Sequence, residues 1–198
     1  MSIPNLLTLF RLLLIPLFVV FFYAPYKWSY LASAAVFALA ALTDWLDGYL
    51  ARKLDQTTAF GAFLDPVADK VMVAVVLVLM VQRYAAVEYY AIPFALATAV
   101  IVARELLISA LREWMAELGQ RAKVAVSVIG KVKTGFQMAA ILILLAVIPE
   151  HDHPMMHVGF LCLFIAAGLT LWSAFIYLRA AWPLLKEGLA EGKKRIDG

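Results

Sequence analysis

The feature that most constrains this chain is a series of long apolar segments separated by short polar stretches. A helix needs about 20 apolar residues to cross roughly 30 Å of hydrocarbon. Hydrophobic residues make up 65% of the chain and charged residues only 16%, whereas a soluble domain carries about 25% charged residues. The sequence therefore predicts an all-α integral membrane protein with six transmembrane helices. The expected spans are residues 6–24, 28–50, 59–81, 89–111, 124–148 and 155–182.

Basic residues are distributed unevenly among the loops. Lysine and arginine are frequent after the second span, between the fourth and fifth spans and at the C-terminus, whereas the alternate loops offer Lys27 and Arg83. This bias, with an even number of spans, predicts that both termini are cytoplasmic. Residues 1–182 are expected to form one six-helix membrane domain, followed by a cytoplasmic tail over 183–198. Aromatic residues at the outer helix ends, including Tyr23, Tyr84 and Tyr89, predict an interfacial belt.

Four aspartates lie inside otherwise apolar segments. Asp44 and Asp47 belong to the second span, and Asp65 and Asp69 belong to the third. A carboxylate in a membrane segment costs about 2.5–3.5 kcal/mol on insertion scales, so four of them require compensation. Solvated carboxylates at frayed helix ends are the alternative to a functional site.

The aspartates share helical faces with small residues and one arginine. At about 100° per residue, the second-span residues fall within an arc of about 140°. Gly61, Asp65 and Asp69 recur at four-residue intervals on the third span, and the short turn between the spans is expected to bring the two stripes face to face. The second-span stripe consists of Asp44, Asp47, Gly48, Ala51 and Arg52.

The composition of these stripes predicts a metal site. Four neighbouring carboxylates do not all stay ionised unless cations neutralise them. Oxygen ligands without nearby cysteine or histidine select a hard ion such as Mg²⁺, Mn²⁺ or Ca²⁺. Two such ions beside an arginine suit displacement at a pyrophosphate.

The spacing of these residues also carries a family resemblance. The pattern D-x2-D-G-x2-A-R-x8-G-x3-D-x3-D, from Asp44 to Asp69, resembles the signature of the CDP-alcohol phosphatidyltransferase family. The resemblance implies a six-helix membrane fold and transfer of a phosphatidyl group from CDP-diacylglycerol to an alcohol, with two Mg²⁺ or Mn²⁺ ions. It also implies that Asp44, Asp47 and Asp65 hold the metals. Asp69 would ligate one metal and act as the catalytic group that faces the acceptor hydroxyl.

The same resemblance implies a pocket for the cytidine diphosphate group of CDP-diacylglycerol. Small residues and an arginine of the signature would line it, and polar residues at the start of the first span would close its side. The expected pocket residues are Asn5, Thr8, Arg11, Gly48, Ala51, Arg52 and Gly61.

Other stretches, at residues 3–11, 61–70, 104–105, 109–114 and 130–134, resemble the branch of the family whose acceptor is sn-glycerol 3-phosphate. This resemblance implies a homodimer among membrane lipids in the bacterial cytoplasmic membrane, with the active site facing the cytoplasm and no nucleic-acid partner. The metal site does not distinguish acceptors, so inositol phosphate, serine or phosphatidylglycerol stay as alternatives. Outside the class, a divalent-cation transporter is the alternative, although acids clustered at one membrane face do not favour it.

The phosphate of the acceptor requires cations of its own. Arg104, Arg112, Lys131 and Lys133 are expected to form an anion pocket beside the metals, since arginine suits bidentate phosphate contacts. Arg104 could instead pair internally with Glu105 or with a site aspartate. The two lysines could instead serve topology or attract anionic lipids. The histidine-containing loop at residues 151–157 lies on the opposite side of the expected membrane and is interpreted as solvated.

Overall fold

A computed structural model of the protein describes residues 3–54, 59–117, 128–149 and 153–196. These residues confirm the predicted all-α fold with six helices. The helices are α1 (Ile3–Tyr23), α2 (Trp28–Leu54), α3 (Ala59–Tyr84), α4 (Ala91–Glu117), α5 (Val128–Ala146) and α6 (Pro154–Ile196).

Within the described ranges, four helices are long and apolar enough to cross a membrane. These spans are Asn5–Tyr23, Trp28–Leu50, Ala91–Glu117 and Pro154–Pro183. In α3 the charged residues Asp65, Asp69 and Lys70 interrupt the apolar sequence, although the helix itself is continuous. The described part of α5 is 19 residues long. The count of six spans and the cytoplasmic placement of both termini stay predictions. Helix α6 continues without a break past Pro183 to Ile196, and the division at residue 182 into domain and tail also stays a prediction.

The helices pack mainly as pairs around one core. Helix α1 packs along α2 and α5 along α6, while α4 lies on α6, and α1 also contacts α3. Fully buried side chains fill the core, whereas many large apolar side chains point outward, as expected where lipid replaces water. Core members include Phe18, Phe37, Leu77, Phe94 and Ile141, and outward-facing residues include Leu13, Val20, Leu31, Val78 and Leu161.

One glycine allows α5 and α6 to approach closely. A Cβ atom placed on Gly159 of α6 would lie 2.7 Å from the side chain of Leu144 on α5, which is closer than atoms tolerate. Small residues serve this purpose at helix contacts in membranes, where packing drives association.

Tyr84, at the end of α3, is buried in the core, so the prediction that it joins an interfacial belt is wrong. Its hydroxyl donates to the backbone oxygen of Leu144 at 2.8 Å, and its ring stacks on Phe94. Tyr23 and Tyr89 are exposed, as expected of belt residues. The neighbouring Arg83 donates to the backbone oxygen of Phe22 at 3.2 Å and thereby joins the end of α3 to that of α1.

Candidate active site

The structure brings the four predicted aspartates into one region, which we call the aspartate cluster (Asp44, Asp47, Asp65 and Asp69). The charge of Asp47 interacts with those of Asp44 and Asp65, and the charge of Asp69 interacts with that of Asp44. Because like charges repel strongly at low dielectric, the cluster requires cations close by.

Arg11 on α1 is a cation of the aspartate cluster. Its Nη1 donates to Asp44 Oδ1 at 2.5 Å, and its Nη2 donates to Asp47 Oδ2. The Arg11 side chain is only 1% exposed, so its charge-assisted hydrogen bond to the buried Asp47 lies out of water, where such bonds are strong, whereas Asp44 is partly exposed. The family resemblance implied a position for Arg11 at the side of a nucleotide pocket, and the structure places its guanidinium between two carboxylates.

Helix α1 also reaches the other half of the cluster. The hydroxyl of Thr8, three residues before Arg11, donates to Asp65 Oδ1, and Asn5 is buried one turn earlier on α1. Residues spaced by three lie on one face of a helix. A single face of α1 therefore binds aspartates of both α2 and α3.

This arrangement corrects the expectation that the two aspartate stripes face each other directly. Among the residues that the structure describes, α2 and α3 contact each other at few positions, whereas α1 packs against both. The physical reason is electrostatic: two carboxylate stripes in direct contact would repel, and α1 supplies a guanidinium and a hydroxyl between them.

The aspartate cluster has the donor chemistry for a hard divalent ion. Its ligand atoms are all carboxylate oxygens, the type that Mg²⁺ and Mn²⁺ prefer. Among the described residues, no three acidic, histidine or cysteine side chains are close enough together to hold an ion as they stand. Arg11 binds one oxygen of Asp44 and one oxygen of Asp47, so a metal that binds these carboxylates either shares them with Arg11 or replaces its hydrogen bonds.

Beside the signature aspartates, Gly48 faces open space. A Cβ atom at this position would meet no protein atom within 4 Å, so packing within the protein does not require glycine there. Gly61 on α3 is buried. The side chains of Ala51 and Arg52 lie outside the described part of the structure.

A second polar region lies next to Asp69. A cavity of about 70 Å³ lies between α3, α4 and α5, and we call it the α3–α5 cavity. The Nζ atom of the buried Lys133 donates to Glu105 Oε1 there. Its polar lining residues are Asp69, Lys70, Glu105, Lys133, Thr134 and Gln137.

The four predicted acceptor cations do not lie together. Lys133 lines the α3–α5 cavity, while Lys131 is exposed two residues earlier. Arg104 donates to Glu105 at 3.2 Å and to Ser173 Oγ of α6 at 3.0 Å. The structure therefore contains the internal pair with Glu105 that was the alternative to phosphate binding. Arg112 is exposed and lines a separate groove between α3 and α4.

Three residues of this region carried no predicted role in binding or catalysis. Glu105 binds both Arg104 and Lys133, although the sequence suggested it only as a partner for Arg104. Lys70 donates to Ser109 and lines the cavity. Gln137 is buried in the middle of α5. The sequence could have indicated all three residues, because a polar side chain in a membrane segment marks a functional site by default.

Comparison with known proteins identifies the family of the chain. The family model described as CDP-alcohol phosphatidyltransferase matches residues 1–177. The chain belongs to the CDP-alcohol phosphatidyltransferase family. Members of this family are membrane-embedded and divalent-metal dependent. With its long apolar helices, this member is a multi-pass membrane protein, and the predicted family is confirmed.

Curated bacterial relatives in this family carry the name CDP-diacylglycerol–glycerol-3-phosphate 3-phosphatidyltransferase. The Pseudomonas fluorescens protein is 55% identical over 197 residues, covering 99% of this chain and 96% of the relative. The Yersinia enterocolitica protein is 54% identical, covering 94% of this chain and 98% of the relative. The Sodalis glossinidius protein is 54% identical, covering 91% of this chain and 95% of the relative.

Proposed function

We propose that this chain transfers the phosphatidyl group of CDP-diacylglycerol to sn-glycerol 3-phosphate, giving phosphatidylglycerol phosphate and CMP. The observation that carries the proposal is 55% identity, over 99% of the chain, to a relative named for this reaction. The aspartate cluster and the adjoining α3–α5 cavity support it, because they offer one site for a metal-bound pyrophosphate and another for a small acceptor.

On the donor side, we assign two Mg²⁺ or Mn²⁺ ions to Asp44, Asp47, Asp65 and Asp69. Such ions, when bound, neutralise the pyrophosphate and the leaving CMP. The open space at Gly48 leaves room for the nucleotide, and we place Asn5, Thr8, Arg11, Ala51, Arg52 and Gly61 around it. Arg11 can then exchange its carboxylate partners for phosphate oxygens, which a guanidinium binds in the same bidentate manner.

In the proposed reaction, Asp69 serves the acceptor. It belongs to the aspartate cluster and also lines the α3–α5 cavity, so it stands between donor and acceptor. The acceptor hydroxyl oxygen bonds to the phosphatidyl phosphorus, and the bond from that phosphorus to the CMP oxygen breaks. CMP leaves with the bonding electrons, and the hydroxyl proton passes to Asp69. Since phosphoryl transfer through a loose transition state needs little early deprotonation, Asp69 mainly orients the hydroxyl and takes its proton late.

On the acceptor side, we assign the phosphate of sn-glycerol 3-phosphate to Lys133, whereas Arg104, Arg112 and Lys131 do not line the α3–α5 cavity and are assigned no contact with this phosphate. Lys133 is buried and shares the α3–α5 cavity with Asp69. Its partner Glu105 also binds Arg104, so Lys133 can turn to a phosphate without leaving Glu105 unpaired.

The proposal extends to the cellular setting. We place the enzyme in the bacterial cytoplasmic membrane as a homodimer, with the aspartate cluster facing the cytoplasm. The basic residues after α2 and at the start of α5 support this orientation. The family resemblance is the support for the dimer, which native mass spectrometry of the purified protein would test.

The decisive experiment measures CMP release from CDP-diacylglycerol by the purified protein in mixed micelles. The acceptors are sn-glycerol 3-phosphate, inositol phosphate, serine and phosphatidylglycerol, each with Mg²⁺ and with EDTA. We expect turnover with sn-glycerol 3-phosphate and Mg²⁺, and none with EDTA. Preference for another acceptor would overturn the proposed function while leaving the family assignment intact.

The open space at Gly48 gives a sharp prediction. We expect Gly48→Ala to lower kcat/KM for CDP-diacylglycerol about 100-fold, because a methyl group displaces the nucleotide from its reactive position. The melting temperature should not fall, since the added Cβ meets no protein atom and alanine is favoured over glycine inside a helix. Gly168→Ala on α6 is the matched control, because its Cβ also meets open space, and it should keep full activity. Equal activity of the two variants would contradict the pocket assignment.

The different positions of the two α5 lysines give a second prediction. We expect Lys133→Met to raise KM for sn-glycerol 3-phosphate about 30-fold, the effect of losing one charged hydrogen bond of about 2 kcal/mol. The exposed Lys131, changed to Met, should alter the same KM less than about threefold. KM for CDP-diacylglycerol should be unchanged in both variants. A larger effect from Lys131→Met would argue that the phosphate binds outside the α3–α5 cavity.

A further inference from the structure

Gln137 is a buried polar group that the mechanism above does not use. It lies on α5 one helical turn beyond Lys133, and its side chain is 4% exposed. Its Oε1 atom has no hydrogen-bond donor among the described residues. A buried amide oxygen without a donor is costly, and native proteins seldom retain one without a reason.

The Gln137 side chain lines the α3–α5 cavity together with Asp69 and Lys133. Lys133 and Gln137 are four residues apart, so they lie on the same face of α5 and about 6 Å apart along its axis. The apolar residues Val73 and Ile101 also line the cavity. Among the fully buried polar atoms of the described residues that line this cavity, the Gln137 amide oxygen is the one without a hydrogen-bond partner.

Resting on the proposed function, we propose that Gln137 determines acceptor specificity by accepting a hydrogen bond from the C2 hydroxyl of sn-glycerol 3-phosphate. The C1 hydroxyl of this acceptor reacts beside Asp69, and its phosphate binds Lys133. The C2 hydroxyl is the remaining polar group, and it needs a partner once it leaves water. Gln137 Oε1 supplies this partner.

The test compares sn-glycerol 3-phosphate with 3-hydroxypropyl phosphate, which keeps the reacting hydroxyl and the phosphate but lacks the C2 hydroxyl. We expect the wild-type enzyme to prefer sn-glycerol 3-phosphate by about tenfold or more in kcat/KM, since a buried acceptor atom penalises an analogue that leaves it unpaired. Gln137→Met preserves the side-chain length without the amide. It should lower kcat/KM for sn-glycerol 3-phosphate about tenfold and change kcat/KM for the analogue by less than about twofold. The ratio of the two kcat/KM values then falls toward one.

Two further variants separate recognition from packing. Thr134→Val is the matched control, because Thr134 lines the same cavity but its hydroxyl already donates to the backbone oxygen of Gly130 at 3.0 Å. It should retain the wild-type ratio. Gln137→Glu keeps an acceptor oxygen and should also retain the ratio, even if its overall rate is lower.

The outcomes distinguish the two proposals. If wild-type protein shows no CMP release with sn-glycerol 3-phosphate, the proposed function fails and this inference fails with it. If wild-type protein turns over but Gln137→Met changes kcat/KM equally for both acceptors, so that their ratio is kept, this inference alone is overturned. Loss of the ratio in Gln137→Glu would overturn it as well, and that result covers the case in which Gln137→Met does not fold.

Discussion

Asp69→Asn is expected to lower kcat for CMP release about 1,000-fold or more while the protein still binds Mg²⁺. The substitution preserves the shape of the side chain but removes the group that orients the acceptor hydroxyl and takes its proton, a contribution of about 10²–10⁴-fold in enzymes. The remaining carboxylates of the aspartate cluster keep most of the metal affinity. Turnover is followed as CMP release, and metal binding as the Mg²⁺-dependent rise in melting temperature.

The control for this charge removal is Glu88→Gln, because Glu88 is exposed between α3 and α4. It should leave both turnover and the Mg²⁺ response unchanged. Substantial turnover in Asp69→Asn with an intact Mg²⁺ response would remove Asp69 from its catalytic role. Loss of turnover together with the Mg²⁺ response would instead indicate that Asp69 acts mainly as a metal ligand.

Arg11→Met is expected to destabilise the protein strongly in EDTA and much less in Mg²⁺. Removing one partner of a buried ion pair typically costs about 3–5 kcal/mol, because the other charge is left uncompensated. Since Asp44 is partly exposed, we expect a loss at the lower end of this energy range. It corresponds to a fall of roughly 6–12 °C in melting temperature for a chain of this size. Divalent ions replace the missing positive charge and should recover most of this loss.

Arg83→Met provides the matched comparison. Arg83 is also partly buried, but it donates to backbone oxygens of Phe22 and Leu145 rather than to carboxylates. Its substitution should lower the melting temperature equally in EDTA and in Mg²⁺. If Arg11→Met responded to Mg²⁺ no more than wild type does, Arg11 would not be the counter-ion of a metal site.

The sequence predicted the helices and the acidic residues well, because both follow from local rules. Apolar length determines where a membrane helix lies, and four-residue spacing places Gly61, Asp65 and Asp69 on one face. The position of α1 did not follow from such rules. Nothing in the spacing of α2 and α3 indicates that Thr8 and Arg11 bind their aspartates, because this depends on which helices pack together in three dimensions.

The acceptor side was less predictable for a related reason. Neighbouring residues of a helix point about 100° apart, so Arg104 reaches Ser173 of α6 while Glu105 faces the α3–α5 cavity. Lys131 and Lys133 differ by about 200° and therefore cannot share a face, which the sequence alone could have shown. Which of the two lysines is buried depends on the neighbours of α5, and the structure identifies Lys133.

Asp69 lies at a boundary between two sets of helices. The donor side draws its described side chains from α1, α2 and α3, while the α3–α5 cavity draws its side chains from α3, α4 and α5. Substitutions that remodel α4 and α5 can therefore change the accepted alcohol without disturbing the aspartates that handle the activated lipid. This separation is a form of modularity, in which a lineage can acquire new headgroup chemistry by altering one side of the enzyme while it inherits the other unchanged.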